Sequence, residues 1–155
     1  MKEPVRLHVI SFNIPLPADY GGVIGVYFHL KALHKLGVKI ILHCFEYGRE
    51  HDAKLNEVCE TVYYYKRNMS LINLISTKPF IVKSRTNKVL LNRLLQYDFP
   101  ILYEGTHVCM TLDEPKLKDR LKVVRMHNVE WQYYENMIPI EKSLKQKVFF
   151  YLESK

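Results

Sequence analysis

Two clusters of ionisable side chains could carry acid–base or charge-stabilising chemistry. Glu104 and His107 follow one short apolar run, and His127, Asn128 and Glu130 follow another. Imidazole and carboxylate groups transfer protons or stabilise charge that develops during a reaction, and an amide hydrogen-bonds polar substrates. Placement directly after a strand favours a functional role for His127 over a structural one, whereas both roles stay open for Glu104 and His107.

A third cluster is a glycine pair that precedes a helix-like segment. Gly21 and Gly22 stand at the end of a proline-bearing loop. Paired glycines at a helix start can bring unpaired backbone N–H groups, and the positive end of the helix dipole, close to an anion such as phosphate. The alternative is a turn that requires a positive φ angle.

Spacing argues against several other chemistries. Residues 21–25 lack the spacing of a dinucleotide fingerprint, and the sequence holds no P-loop for a nucleoside triphosphate. The separation of His107 and Cys109 matches no zinc pattern. Cys44 and Cys59 lie in apolar surroundings that are typical of small core residues.

The order of the predicted elements indicates how the clusters are positioned. Strands are predicted at 5–12, 38–45, 60–66, 100–103 and 122–126, and helices at 23–36, 53–59, 68–76, 87–97, within 108–121 and at 140–155. Residues 79–85 fit either a strand or an extended loop. This alternation predicts an α/β fold with a Rossmann-like, open, mostly parallel sheet flanked by helices. Ligands bind at the carboxyl ends of such strands, where all three clusters stand.

Other ionisable residues inside the predicted elements are first given structural roles. A basic stretch around the 87–97 helix is interpreted as a solvated face in preference to a surface for anionic lipid or a phosphorylated acceptor. Its members are Lys83, Arg85, Lys88 and Arg93. The histidines interpreted as core or surface residues are His8, His29, His34 and His43.

Length and composition indicate one globular domain, 1–155. The 155 residues carry a net charge of +7, and no apolar run approaches the roughly 20 residues that span a bilayer. A basic balance admits nucleic acid, anionic lipid or phosphorylated small molecules without ranking them. Three cysteines without a pairing pattern, and no apolar signal segment, predict a cytoplasmic location.

Three segments together resemble the N-terminal domain of bacterial GT-B glycosyltransferases of the kind grouped as glycosyltransferase family 4. They are Pro15-Leu-Pro-Ala-Asp-Tyr-Gly-Gly22, Tyr103-Glu-Gly-Thr-His107 and Arg125-Met-His-Asn-Val-Glu-Trp-Gln-Tyr-Tyr134. The similarity covers almost the whole chain. It implies one half of a GT-B fold.

The resemblance implies transfer of a sugar, with retention at the anomeric carbon, from a nucleotide-diphosphate sugar to a glycan, lipid-linked or small-molecule acceptor. Tyr20, Gly21 and Gly22 would approach the donor diphosphate or the acceptor and stabilise negative charge. His127 matches the family histidine that is expected to hydrogen-bond the transferred sugar. The remaining candidates for acceptor or sugar binding are Arg85, Glu104, Thr106, His107, Asn128 and Glu130. The family implies no metal and no other cofactor.

The resemblance also implies a second Rossmann-like domain that holds the nucleotide, and residues 1–155 lack it. We therefore expect this chain alone to be inactive and to bind the donor weakly. Homodimers through the surface meant for that domain, and peripheral contact with the inner face of the cell membrane, fit this interpretation; nucleic acid is not an expected partner. Two alternatives stay open: a stand-alone, flavodoxin-like nucleotide- or phosphate-binding domain without catalysis, and a basic interaction module without chemistry.

Overall fold

Short runs of apolar and β-branched residues form the strands, as expected for strands that are covered on both faces. The computed structural model describes residues 3–70, 72–73 and 76–154. Its strands are β1 (Arg6–Ser11), β2 (Lys39–Glu46), β3 (Thr61–Lys66), β4 (Ile101–Glu104) and β5 (Lys122–Arg125). All are parallel and pair in the order β3-β2-β1-β4-β5. This arrangement confirms the predicted α/β, Rossmann-like open sheet.

Helices cover both faces of the sheet. The described α-helices are α1 (Gly21–Lys35), α2 (Phe80–Lys83), α3 (Lys88–Gln96), α4 (Glu130–Met137) and α5 (Leu144–Glu153), and 3-10 helices occupy Ala53–Glu57, Thr106–Thr111 and Pro115–Leu117. Val9 of β1 packs with Leu30 of α1, whereas Ile10 packs with Leu94 of α3. Successive strand residues face opposite sides, so α1 and α3 cover different faces of the sheet.

The strand or extended loop predicted for 79–85 is wrong, because residues 80–83 form the short helix α2. The cause lies far away in the sequence. The buried carboxylate of Glu153, in α5, accepts hydrogen bonds from the backbone N–H groups of Phe80 at 2.7 Å and Ile81 at 3.2 Å. It thereby satisfies donors that a helix start leaves unpaired. Nothing in the local sequence indicates this cap.

Other helix boundaries also differ from the predicted ones. Helix α4 occupies a segment for which no element is predicted, and the last helix begins at Leu144 rather than at 140. The helix predicted within 108–121 is replaced by two 3-10 helices. In the helix predicted at 68–76, residues 68–70 are not helical and 72–73 lie in a 3-10 turn. Residues 71, 74 and 75 of that prediction, and 155 of the last one, lie outside the described residues.

Two strand histidines belong to a buried hydrogen-bonded chain on the α3 face. Nδ1 of His8 lies 3.0 Å from Nε2 of His43, and Nδ1 of His43 lies 2.8 Å from the hydroxyl of Tyr65. Nη1 of Arg93 donates to the same hydroxyl at 3.0 Å. Burial, together with the charge of Arg120, lowers the pKa of His8 to about 4, and burial also lowers the pKa of His43. Both imidazoles are therefore neutral at pH 7.

We expect the free energy of unfolding to fall by about 2 kcal/mol between about pH 7.5 and about pH 5 because of His8. Its pKa is depressed in the folded chain, so its stabilising effect is complete above the ordinary value of 6.5 and is lost as the pH falls towards 4. Over this range the unfolded chain binds a proton that the folded chain excludes. Urea unfolding at several pH values measures the loss.

Two asparagine variants separate His8 from the other histidines. His8→Asn keeps an acceptor for His43 but does not titrate, so we expect a smaller loss of stability towards acid pH. His34→Asn, at an exposed position of α1, should keep the wild-type loss. Equal pH dependence of His8→Asn and the wild-type chain would show that His8 is not the titrating group.

Candidate functional site at the carboxyl edge of the sheet

Parallel pairing brings the ends of three strands to one edge. Ser11 of β1 pairs in register with Glu104 of β4, and Glu104 pairs with Arg125 of β5. Because parallel strands present their carboxyl ends together, the segments that follow β4 and β5 meet there as well. Four of the predicted site residues come together at this edge: Glu104, His107, His127 and Glu130.

A fully buried carboxylate lies at the centre of this edge. Oε1 of Glu104 lies 2.6 Å from Nδ1 of His29, and Oε2 accepts a hydrogen bond from Nε of Arg125 at 2.9 Å. Nε2 of His127 lies 3.3 Å from Oε2, which is close enough for charge attraction but lacks the alignment of a hydrogen bond. Side chains from α1, from β5 and from the segment after β5 therefore converge on one carboxylate.

The surroundings of Glu104 keep it ionised. Burial alone would raise its pKa, but the contacts of His127 and His29 and the charge of Arg125 outweigh burial and hold the pKa of Glu104 below its usual value. An ionised carboxylate without solvent access does not donate a proton at neutral pH. It can orient the imidazole that it faces. Glu104 therefore lies where it can position the ring of His127.

Two glycines allow the chain to approach His127 closely. A Cβ atom on Gly105 would lie 3.4 Å from Cδ2 of His127, and the φ angle of Gly105, +92°, is one that other residues rarely adopt. A Cβ atom on Gly25 of α1 would lie 3.8 Å from Nδ1 of His127 and 3.3 Å from Nη2 of Arg125. Close packing of α1 and the β4 exit therefore fixes the imidazole from two sides.

A second acid–base pair lies at the start of α4. Nε2 of His107 lies 3.2 Å from a carboxylate oxygen of Glu130, and both side chains are mostly buried. Glu130 is the first residue of α4, where the helix dipole stabilises a negative charge. The ring of Phe12 packs edge-on against His107 and His127, with centroid distances of 5.8 and 5.7 Å. Phe12 thus connects the two pairs.

The glycine pair forms the first turn of α1 rather than part of the loop. Gly21 and Gly22 both have negative φ angles, so the interpretation as a turn with positive φ is wrong. No side chain caps this helix start, which leaves its first N–H groups available to a ligand. A Cβ atom on Gly22 would lie 2.8 Å from Cζ of Phe12, whereas one on Gly21 would meet nothing within 4 Å. Gly22 is therefore required for packing, and Gly21 faces open space.

We expect Gly22→Ala to cost about 2 kcal/mol of unfolding free energy, because the added methyl group must displace Phe12 from its position against the two histidines. Gly21→Ala is the matched control in the same helical turn. It should be neutral, or stabilising by at most about 1 kcal/mol. Urea unfolding of both variants tests this pair, and equal stabilities would contradict the packing role of Gly22.

The guanidinium group of Arg85 is occupied by backbone carbonyls. Nε and Nη2 donate to the carbonyl of Phe12 at 3.2 and 3.1 Å, and Nη1 donates to that of Ile81 at 2.7 Å. Burial and the neighbouring charge of Arg67 lower the pKa of Arg85 to about 9. Arg85 holds α2 against the end of β1, so its predicted place on a solvated face is wrong. Ligand binding by Arg85 stays a prediction.

Three predicted site residues lie at the rim of the edge. Tyr20 precedes α1, is exposed, and its hydroxyl accepts a hydrogen bond from Nδ2 of Asn13 at 3.3 Å. Thr106 is partly exposed in the 3-10 helix after β4, and Asn128 is exposed. Within the described part of the chain, no group of three or more His, Cys, Asp or Glu side chains is arranged to hold a metal ion.

An open cavity of about 540 Å³ lies next to Tyr20 and His107. Phe12, Tyr20 and His107 line it, together with Tyr47 and Arg67, which follow β2 and β3. The guanidinium carbon of Arg67 lies 4.6 Å from the centroid of the Tyr47 ring. Aromatic faces beside an arginine suit a sugar or another ring that carries acceptor oxygens.

Sequence reasoning missed His29 and Arg125 as members of this site. A signal existed for each. Gly22, Gly25 and His29 recur at i, i+3 and i+7, which places them on one face of a helix. Arg125 stands two residues before His127 at the end of a strand, where residues separated by two share a face.

Fold and site together define a parallel α/β domain with an ionised acid, histidines and an arginine at the carboxyl edge of its sheet. None of the helices in the described ranges is long and apolar enough to cross a bilayer. The chain is 28% identical over 158 residues to a Klebsiella pneumoniae protein described as "Uncharacterized 44.6 kDa protein in cps region". The match covers 96% of this chain and 40% of that protein, so the chain spans less than half the length of this relative. No protein-family model and no solved structure matches the chain.

Proposed function

We propose that this chain is the acceptor-side, N-terminal domain of a retaining glycosyltransferase that acts in polysaccharide biosynthesis. The observation that carries the proposal is the ionised Glu104, held by His29 and Arg125 next to His127 at the carboxyl edge of the sheet. The position of the relative in a cps region supports a role connected with capsular polysaccharide. The donor would be a nucleotide-diphosphate sugar, and a second domain of a longer protein would hold its nucleotide.

His127 would bind the transferred sugar. Attraction to Glu104 favours the tautomer with its proton on Nε2, which leaves Nδ1, on the side of Gly25, as an acceptor for a sugar hydroxyl. Positive charge grows at the anomeric carbon as the bond to the diphosphate breaks. The negative charge of Glu104, acting through the imidazole ring of His127, would stabilise this positive charge.

The start of α1 would stabilise the departing diphosphate. Negative charge grows on that group during transfer, and the uncapped N–H groups and the helix dipole attract negative charge. Open space at Gly21 permits a close approach. The acceptor would occupy the 540 Å³ cavity, so that its hydroxyl group reaches the sugar from the side of His107 and Tyr20.

A donor screen with the full-length protein tests this proposal. Nucleotide-diphosphate sugars are supplied one at a time with lipid-linked and free saccharide acceptors, and release of nucleoside diphosphate is measured. We expect one donor to be turned over, and the isolated 155-residue chain to be inactive. Tight binding of a free nucleotide by the isolated chain, without turnover of any donor by the full-length protein, would instead support the nucleotide-binding alternative.

A further inference from the structure

A second cavity lies at the opposite, amino edge of the sheet, away from Glu104. Its volume of about 360 Å³ lies in the range of small-molecule sites, about 300–1,000 Å³. It lies between the start of β1, the start of β3 and the residues that follow α3. The rings of Tyr63 and Phe99 form apolar walls, and its charged groups are Arg6, Glu60 and Arg93.

Hydrogen-bond donors outnumber acceptors among these charged groups. Nε of Arg6 lies 3.4 Å from a carboxylate oxygen of Glu60, and both side chains are partly exposed. Arg93 uses Nη1 for the hydroxyl of Tyr65, and its guanidinium carbon lies 3.7 Å from the centroid of the Tyr63 ring. Each arginine carries five N–H donors, so one carboxylate does not saturate two guanidinium groups. This surplus favours a ligand that offers acceptor oxygens.

His8 adds a buried donor to the same cavity. Arg93 can only donate, so the Tyr65 hydroxyl accepts its hydrogen bond and in turn donates a hydrogen bond to Nδ1 of His43. His43 then donates from Nε2 to Nδ1 of His8, which leaves the proton of His8 on Nε2. That N–H group is shielded from solvent and has no hydrogen-bond partner among the described residues. His8 is 1% exposed and lines the cavity, so a ligand reaches this unsatisfied donor only after a shift of the neighbouring side chains.

We propose that this cavity binds a small ring-bearing molecule with a carboxylate or phosphate group, whose oxygens accept hydrogen bonds from Arg6 and Arg93 and, after that shift, from Nε2 of His8. The ring of the ligand would pack against Tyr97, which lines the cavity and is exposed. The faces of Tyr63 are covered by Arg93 and His43, and Tyr97 itself stacks on Phe99. Glu60 carries one full negative charge, and the carboxyl end of α3 carries about half of one, so the two guanidinium charges leave the cavity with a small positive balance. The site lies at the other edge of the sheet from His127 and does not depend on the proposed sugar transfer.

Titration of the intact, ¹⁵N-labelled chain with benzoate and with phenyl phosphate tests the proposal by NMR. Benzamide, which has nearly the shape of benzoate but no charge, is the matched probe. We expect the resonances of His8 and Tyr63 to shift with one or both anions and much less with benzamide. A stronger response to phenyl phosphate would identify a phosphate ester as the preferred ligand, and a stronger response to benzoate would identify a carboxylate. Absence of shifts at His8 and Tyr63 up to about 20 mM of both anions would overturn the proposal.

Two charge-matched variants separate a built site from general attraction of anions. Arg6→Gln should weaken anion binding about 10-fold, because it removes a charged donor from the cavity. Lys39→Gln removes the same charge from the residue that pairs with Arg6 in the sheet but does not line the cavity, and should change binding by less than about 2-fold. Equal weakening by the two substitutions, or equal responses to benzoate and benzamide, would contradict an oxyanion site.

Discussion

A Glu104→Gln chain is expected to lose about 3 kcal/mol of unfolding free energy at neutral pH. Glutamine preserves the shape of the side chain but removes the negative charge that His29, Arg125 and His127 share at a fully buried position. Removing one partner of a buried ion pair typically costs about 3–5 kcal/mol, and we expect the low end of this range because the side chain of Arg125 is 34% exposed. Urea unfolding at about pH 7 measures the loss.

Glu46→Gln is the matched control for this substitution. Glu46 ends β2 at the same edge of the sheet and lies 2.6 Å from Nε2 of His51, but this pair is exposed to solvent. Exposed pairs contribute about 0–1 kcal/mol, so the control should change stability little. Similar losses for the two variants would mean that Glu104 has no special role in the charge network.

The pH dependence of the Glu104→Gln effect provides a second check. The pKa of Glu104 is lowered in the folded chain, so its contribution to stability is present above its unfolded value of about 4.5 and declines as the pH falls below that value. The difference in stability between the wild-type chain and Glu104→Gln should therefore shrink between about pH 5 and about pH 3. A constant difference would show that glutamine perturbs packing rather than charge.

The convergence of Glu104 and His127 follows from sequence patterns that are local. Each residue closely follows or ends an apolar run, and parallel strands place their carboxyl ends at one edge. This prediction requires only that the strands be recognised and that they run parallel to one another. It says nothing about which side chains from the covering helices reach that edge, and for this reason it does not predict the contact of His29 with Glu104.

Long-range contacts account for the errors at α2, Arg85 and α4. Helix α2 depends on Glu153, which is 73 residues from Phe80, and Arg85 is drawn into the interior by the carbonyl of Phe12, also 73 residues away. Local propensity contains no information on either contact. The segment that forms α4 is rich in aromatic residues, which favour strands in isolation, and its packing against Phe149 and Phe150 of α5 stabilises the helix instead.

In the full-length protein, His127→Ala is expected to lower kcat/KM for the donor identified by the screen by at least about 100-fold. This result rests on the proposed function, because the imidazole would contact the transferred sugar in the transition state. Exposed His34, at the far end of α1, provides the control: His34→Ala should keep wild-type activity. His127→Gln retains an amide that can hydrogen-bond a sugar hydroxyl and should recover part of the lost rate.

Thermal unfolding of the same variants separates chemistry from folding. Nε2 of His127 forms no aligned hydrogen bond with Glu104, so truncation should cost less stability than Glu104→Gln, although it removes the edge contact with Phe12. We therefore expect His127→Ala to lose most activity while it stays folded at the assay temperature. Retention of more than half of the wild-type kcat/KM by a folded His127→Ala protein would remove His127 from the proposed mechanism, even if the donor screen succeeds.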